Sequence, residues 1–330
     1  MASPGLVIAA PASGSGKTLL TLGLLAHLSQ RGIRVASAKV GPDYIDPAFH
    51  AAATGAPCVN LDAWGMRPDS LDGLVGQVSA GADLVVCEGV MGLFDGAATA
   101  GGTTTGATAD LAARAGWPVV LVIGARGMAS SAAAVLQGFA RFRPDVRVAG
   151  VVFNRVGGEK HRRVIAQACA RACPEVEVLG FLPRVEALVV PSRHLGLVQA
   201  CEHPDLAAFF HKAAAGAPVF GECGGYMSLG RTLTDSEGVS HALAGLLPLD
   251  TSFAQRRLHL GYRQARLLAD TPLGPAGTLL RGHEFHYATV TAAAGAPLLA
   301  VTDAAGADLG QCGLSCGSVF ASFVHLIDRA

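Results

Sequence analysis

Short, continuous apolar runs alternate with helix-length stretches through the first part of the chain. Gly5–Ala10, Arg34–Lys39, Asp83–Glu88, Pro118–Ile123 and Val148–Phe153 each read as a strand, with Val176–Gly180 as a sixth. Continuous apolar runs of this length belong to strands buried on both faces, as in a parallel sheet. Between them, Lys17–Gln30, Ser70–Ser79, Thr108–Ala115, Ser130–Arg141 and Lys160–Arg171 read as helices. Strand and helix in regular succession predict a mostly parallel sheet covered on both sides. The pattern closes near Pro191-Ser-Arg-His-Leu-Gly-Leu197, which puts a first domain at 1–198 and a second at 199–330. In the second, one helix (Leu206–Ala215) and one strand (Pro218–Glu222) precede apolar runs at Leu258–Leu268, Thr278–Leu280, His286–Thr291 and Leu298–Thr302. Gly, Pro and Asp turns separate these runs, so this part is expected to be largely β.

Composition narrows the classes of function. The 330 residues are 51% hydrophobic with no formal net charge, enough to bury a core and without the basic field of a nucleic-acid or acidic-membrane binder. Met1-Ala2-Ser3-Pro4 has no basic n-region and Leu6–Ala10 is too short for a signal core or a membrane span, so the expected compartment is the cytoplasm. The eight cysteines form no Cys-x-x-Cys pair and read as reduced, mostly buried residues; Cys312 and Cys316 lack a second ligand pair for a metal.

The strongest local signal is Pro11-Ala-Ser-Gly-Ser-Gly-Lys-Thr18, between the first strand and the first helix. Gly14 and Gly16 allow the backbone to curl so that N–H groups, that of Ser15 among them, face phosphate oxygens. Lys17 then supplies charge to the β and γ phosphates of ATP and Thr18 a hydroxyl for Mg²⁺. The spacing departs from the strict P-loop because Pro11 stands where the first glycine is expected.

Two acidic groups follow strand ends, the edge on which ligands sit in parallel α/β sheets. One is Lys39-Val-Gly-Pro-Asp43-Tyr-Ile-Asp46-Pro-Ala-Phe-His50; the other is Glu88-Gly-Val-Met-Gly-Leu-Phe-Asp95-Gly96. Their carboxylates can hold Mg²⁺ beside the γ-phosphate, and Lys39 can neutralise charge on a phosphoryl or acyl-phosphate group. The alternative is that Asp43 and Asp46 merely cap turns beside prolines. Asn154 and Leu182-Pro-Arg184 follow the last two strands, where a loop can hold the nucleotide base, although a turn-forming Asn-Arg reads equally well.

Ala217-Pro-Val-Phe-Gly-Glu-Cys223-Gly-Gly-Tyr-Met227 reads as a strand running into a cysteine and then a helix. Gly221 and Gly224 permit the sharp turn of a nucleophile elbow. His283, His286 and His325 are the candidate bases, and His325 is preferred, at the end of Phe320-Ala-Ser-Phe-Val-His325. No carboxylate follows it at the second position, where Ile327 stands.

These stretches, with Arg281-Gly-His-Glu-Phe-His-Tyr287, resemble the cobyrinic and hydrogenobyrinic acid a,c-diamide synthases of cobalamin biosynthesis through nearly the whole chain. The resemblance implies an α/β protein: a dethiobiotin-synthetase-like P-loop domain followed by a shortened class I glutamine amidotransferase domain. It further implies that ATP phosphorylates the a and c acetates of a corrinoid and that ammonia from glutamine displaces phosphate. By motif, Lys17, Thr18, Asp43 and Glu88 would serve ATP and Mg²⁺, Asp46 and Asp95 would lie near the corrinoid carboxylates, and Cys223 would form a glutamyl thioester with His325 as base. The implied partners are the corrinoid and glutamine, with a homodimer allowed and neither nucleic acid nor membrane.

The sequence departs from that family between Leu197 and Val219, where there is no room for the linker, parallel strands and oxyanion loop that precede the cysteine strand. An ammonia-dependent ligase with a defective glutaminase half is therefore the second reading. A P-loop switch controlling a partner is the third. Such switches carry a lysine where this chain has Ala12, and four clustered carboxylates exceed what a switch needs.

Overall fold

The computed structural model describes residues 4–98, 104–184 and 218–330. The Pro191–Leu197 motif and the helix expected at Leu206–Ala215 lie outside the described residues. The chain divides into two compact units, the first within residues 1–190 and the second essentially 191–330.

The first unit runs β1 (Gly5–Ala9), α1 (Lys17–Gln30), β2 (Val35–Val40), α2 (Asp46–Thr54), β3 (Cys58–Leu61), α3 (Pro68–Ser79), β4 (Leu84–Glu88), α4 (Thr108–Ala115), β5 (Val119–Gly124), α5 (Ser131–Arg141), β6 (Val148–Val156), α6 (Glu159–Ala172) and β7 (Glu177–Pro183). Its seven strands form one sheet in the order β3-β2-β4-β1-β5-β6-β7, every pair parallel. Successive side chains enter opposite faces of the sheet. Val7, Val85 and Leu121 therefore join one buried cluster, while their neighbours Ile8, Val86 and Val122 join another with Leu25 of α1. Two buried faces are the reason that the strands read as unbroken apolar runs. Each such side chain is worth roughly 1.5–3 kcal/mol of burial.

The sequence reading missed α2 and β3. Pro47 sits in the first turn of α2, where its missing N–H costs nothing. The strand β3 has four residues, one of them Asn60, too few for a periodicity to emerge.

The second unit carries β8 (Val219–Glu222), a short helix α7 (Gly224–Ser228), β9 (Thr232–Thr234), β10 (Ser240–Ala242), β11 (Leu249–Ser252), β12 (His259–Leu267), β13 (Leu279–His286), β14 (Thr289–Ala293), β15 (Leu299–Asp303), β16 (Asp308–Cys312), β17 (Leu314–Cys316), β18 (Val319–Ser322) and β19 (Val324–Arg329). It is largely β, in sheets ordered β10-β9-β11-β14, β16-β15-β12-β13-β19 and β17-β18-β8. The cysteine strand β8 was expected to lack a parallel neighbour, and it gains one from the far end of the chain: β18, paired from Val219↔Val319 to Glu222↔Ser322. On its other edge β8 pairs with no strand among the described residues, and Phe220 on it is 37% exposed. No helix among the described residues is long and apolar enough to cross a membrane.

Candidate nucleotide and amidotransferase sites

The loop from β1 into α1 turns on Gly14 and Gly16, at φ 77° and 102°. Both values lie where side chains other than glycine are strained. Gly16 has a second constraint, because a Cβ there would collide with the Asn154 amide nitrogen. That nitrogen donates to Ser15 O at 3.0 Å, while Asn154 Oδ1 accepts the Arg155 N–H at 2.8 Å. Asn154 thus braces the loop backbone. Ser15 Oγ closes the curl by donating to Ala12 O at 2.9 Å.

Behind this loop lies a buried cluster of charges. Thr18 Oγ1 donates to Glu88 Oε1 at 2.6 Å. Lys39 Nζ, 3% exposed, lies 2.9 Å from Asp46 Oδ2, 3.3 Å from Glu88 Oε1 and 3.7 Å from Asp43 Oδ2, and donates to Gly89 O at 3.2 Å. Three carboxylates around one ammonium outweigh the burial that works against its charge, and the Lys39 pKa is raised. Lys17 Nζ donates to Met91 O at 2.6 Å. Its pKa is lowered, first by burial and then by the Lys39 charge.

Glu88 joins the elements of this cluster. Burial, the largest influence on it, pushes its pKa up, but the His50 hydrogen bond, the Lys39 charge and the Thr18 hydroxyl outweigh burial and hold it below the usual carboxylate range. His50 Nε2 lies 2.8 Å from Glu88 Oε2, and Cys58 Sγ lies 3.4 Å from His50 Nδ1. Burial lowers the His50 pKa, yet the Cys58 and Glu88 contacts raise it to about 9.

Asp43 and Asp46 both cap and pair. Asp43 Oδ1 accepts the N–H groups of Ile45 at 2.8 Å and Asp46 at 3.1 Å, starting α2, while its other oxygen faces Lys39. Burial, above all, raises the Asp43 pKa. Asp95 is exposed and accepts the Gly92 N–H at 2.9 Å, reaching the cluster through its charge on Lys17. The structure therefore gathers Lys17, Thr18, Lys39, Asp43, Asp46 and Glu88 into one group with Asp95 at its margin. It adds three residues the sequence reading passed over. His50 stands one turn beyond Asp46 on the buried side of α2, a spacing that could have been noticed. Cys58 touches His50, and Asn60 Nδ2 ties down the loop after β2 through Gly41 O at 2.8 Å and Asp43 O at 2.6 Å.

A hydroxyl and acidic oxygens beside a phosphate-binding loop are the donor set of a hard divalent cation. Thr18 and Glu88 fit it directly, and Asp43 joins them through Lys39.

In the second unit, Cys223 follows β8 with φ 50° and ψ −106°, a strained elbow. Gly221 is required because a Cβ there would lie 2.6 Å from Leu229 Cδ1 and 3.0 Å from the Gly225 carbonyl carbon. Cys223 Sγ faces Phe285 O at 3.8 Å. Burial first, then the charges of Glu222 and Glu284, push its thiol pKa up, and the Gly224 N–H works in the opposite direction.

The three candidate bases separate by their surroundings. His286 has Nδ1 on Ala288 O at 2.9 Å and Nε2 on Glu284 Oε1 at 2.8 Å, and its ring stacks on Phe323 at 3.7 Å. Its nitrogens belong to the framework. His283 is pushed down to about 4, mainly by burial. His325, near the start of β19, follows the strand that pairs with the cysteine strand, so both lie past the C-terminal ends of adjacent parallel strands. Burial and then His286 lower its pKa, which favours the neutral form a base needs.

His259, Glu284 and His286 place one donor atom each within 4.8 Å of one another. The two imidazoles stack almost parallel, 4.6 Å apart at 5°, so their in-plane lone pairs do not converge on one ion. The seven cysteines among the described residues, Cys312 and Cys316 included, are free thiols.

A phosphate-binding loop on a parallel sheet, followed by an elbow cysteine with a neighbouring histidine, defines a nucleotide-dependent protein of the glutamine amidotransferase type. Residues 6–198 match the CobQ/CobB/MinD/ParA nucleotide binding domain and residues 205–329 the CobB/CobQ-like glutamine amidotransferase domain. Proteins named hydrogenobyrinate a,c-diamide synthase are 42% identical in Rhodobacter capsulatus, over 98% of this chain and 98% of that protein, and 38% identical in Mesorhizobium japonicum, over the whole of both. The chain belongs to the hydrogenobyrinate a,c-diamide synthase family. The Rhodobacter alignment is 430 residues long against a chain of 330, and it spans almost all of both proteins, so the missing length falls inside it.

Proposed function

We propose that this protein amidates the a and c acetate side chains of a corrinoid acid, hydrogenobyrinate or cobyrinate, using ATP and ammonia drawn from glutamine. The observation that carries this reading is the group of Lys17, Thr18, Lys39, Asp43, Asp46 and Glu88, because a nucleotide switch has no need for a second buried lysine ringed by carboxylates.

ATP lies with its phosphates along the N–H groups of Gly14, Ser15 and Gly16 at the start of α1. Thr18, Glu88 and Asp43 would hold Mg²⁺, which when bound neutralises charge on the β and γ phosphates. A substrate carboxylate oxygen attacks the γ-phosphorus, the bond to the leaving ADP oxygen breaks, and an acyl phosphate forms. Lys17 and Lys39 are the cations available to the phosphoryl oxygens as charge shifts. Asp46 holds Lys39 in place, and Asp46 and Asp95 lie on the side of the incoming acetate. Ammonia then attacks the acyl carbon, phosphate leaves and an amide remains. In the second unit the Cys223 thiolate attacks the glutamine side-chain carbonyl, with His325 taking the thiol proton and passing it to departing ammonia; water resolves the thioester.

A second reading, turnover with free ammonia alone, is favoured by the length missing within the alignment, next to a β8 edge that pairs with no strand among the described residues. One assay separates the two: protein, ATP, Mg²⁺ and the corrinoid acid with either glutamine or ammonium. Diamide from both sources supports the full reaction, and diamide from ammonium alone supports the second reading. Absence of corrinoid-dependent phosphate release with either source refutes both. Cys223→Ser should abolish the glutamine-driven reaction and leave the ammonium-driven one; loss of both would make Cys223 structural.

A further inference from the structure

The amidotransferase half has a nucleophile and a base, but Ile327 stands where a carboxylate would follow the base in sequence. We propose that Glu222, the residue immediately before the nucleophile, is the carboxylate that positions His325. The proposal rests on reading Cys223 and His325 as the glutaminase pair.

The parallel register places Glu222 opposite Ser322. The chain then passes through Phe323 into β19, which brings the backbone of His325 and Leu326 over the Glu222 side chain. One carboxylate oxygen, Oε1, accepts the Leu326 N–H at 2.7 Å. The other, Oε2, faces His325 Nδ1 at 3.9 Å. The first contact anchors the group and the second aims it. A separation of 3.9 Å exceeds a hydrogen bond by about 1 Å, and catalytic hydrogen bonds commonly tighten when substrate binds.

The other charged and titratable groups facing this pair are committed elsewhere. Glu284 on β13 has one oxygen on His286 and the other on Arg263 at 2.7 Å. His283 pairs across the sheet with His325 and is held neutral by burial, and His286 is fixed by Ala288 and Glu284. Among the described residues, Glu222 is the carboxylate that lies at ion-pair distance from His325. When its oxygen accepts the Nδ1–H, Nε2 is the ring nitrogen that carries the lone pair and takes the proton of Cys223 Sγ. The S–H bond breaks, an N–H bond forms on Nε2, and the Glu222 charge stabilises the imidazolium.

Glu222→Gln separates this role from that of a strut. The carboxamide oxygen can still accept the Leu326 N–H, but its NH₂ then faces Nδ1 and favours the tautomer that carries the proton on Nε2, which disables the base. The probe is iodoacetamide, with alkylation of the Cys223-containing peptide followed by mass spectrometry on the full chain from pH 5 to 10. Wild type, Glu222→Gln, Glu222→Ala, His325→Ala and the Glu222→Gln/His325→Ala double variant are compared. We expect Glu222→Gln to slow alkylation at neutral pH by at least about tenfold, within the roughly 10⁴-fold that a wrong-tautomer carboxamide can cost a triad. Its inflection should move to the higher pH of His325→Ala, and the double variant should be no worse than His325→Ala. A Glu222→Gln profile like wild type, with His325→Ala shifted, overturns the proposal and leaves Glu222 a strut. A His325→Ala profile like wild type overturns the glutaminase pair and the proposal with it.

Discussion

Replacing Lys39 by Met keeps the length of the side chain and removes its charge, which exposes how much of the first unit rests on one buried ammonium. The wild-type Nζ lies within 3.7 Å of carboxylates from Asp43, Asp46 and Glu88 and is 3% exposed. Removing one partner of a buried ion pair costs about 3–5 kcal/mol, because the remaining charge is left without compensation. In a unit of this size that corresponds to a fall of roughly 6–20 °C in Tm, at about 2–4 °C per kcal/mol. The sign of the pH dependence is a sharper test. In the wild type Glu88 is held below its ordinary value, so its contribution is present at neutral pH and fades as pH falls through the depressed value. In Lys39→Met, Asp43 and Asp46 lose that cation while Glu88 keeps His50, and the Asp43 pKa, already raised by burial, rises further. The destabilisation is then largest near pH 8 and is relieved on mild acidification. Both tryptophans, Trp64 and Trp117, are in the first unit and buried, so urea unfolding followed by tryptophan fluorescence reports on that unit alone. A loss under about 1 kcal/mol, or one that grows toward acid pH, would refute the account of Lys39 as a buried, carboxylate-caged cation.

Two further outcomes follow from the same unit. Gly16→Ala places a side chain at φ 102° and against Asn154, a strain of about 1–3 kcal/mol, so ATP affinity measured by calorimetry should fall roughly 5- to 150-fold. Adding Asn154→Ala should recover part of it, since the contact is relieved and the backbone strain is not. For His50, the folded pKa of about 9 lies above the ordinary 6.5, so charged His50 stabilises the fold fully below about pH 6.5 and progressively less up to pH 9. His50→Gln should flatten the fall in the urea midpoint across that window; an unchanged slope would mean that His50 is neutral beside Glu88.

Much of the fold was legible because its signals are local. Gly14 and Gly16 mark positive φ, Lys17 and Thr18 follow in register at the start of a helix, and unbroken apolar runs announce strands buried on both faces. The helix α2 opens with Pro47 in its first turn, a position that suits proline although a helix interior does not. Asp43, Asp46 and Glu88 were recognisable from their places after strands. Their mutual arrangement was not, and neither were His50, Cys58 and Asn60, whose roles depend on which strand lies beside which.

The sequence alone thus determined the two kinds of chemistry, a phosphate cradle and an elbow cysteine, because each depends on the dihedral freedom and side chains of a few consecutive residues. Tertiary structure decided how those residues become sites. The β2-β4-β1 order brings Glu88 to Thr18, Lys39 and His50, respectively 70, 49 and 38 residues away. The pairing of β8 with β18 brings Glu222 to Leu326 and His325 at the other end of the unit. Strand register is a long-range choice set by burial on both faces of a sheet, and no periodicity within one segment encodes it.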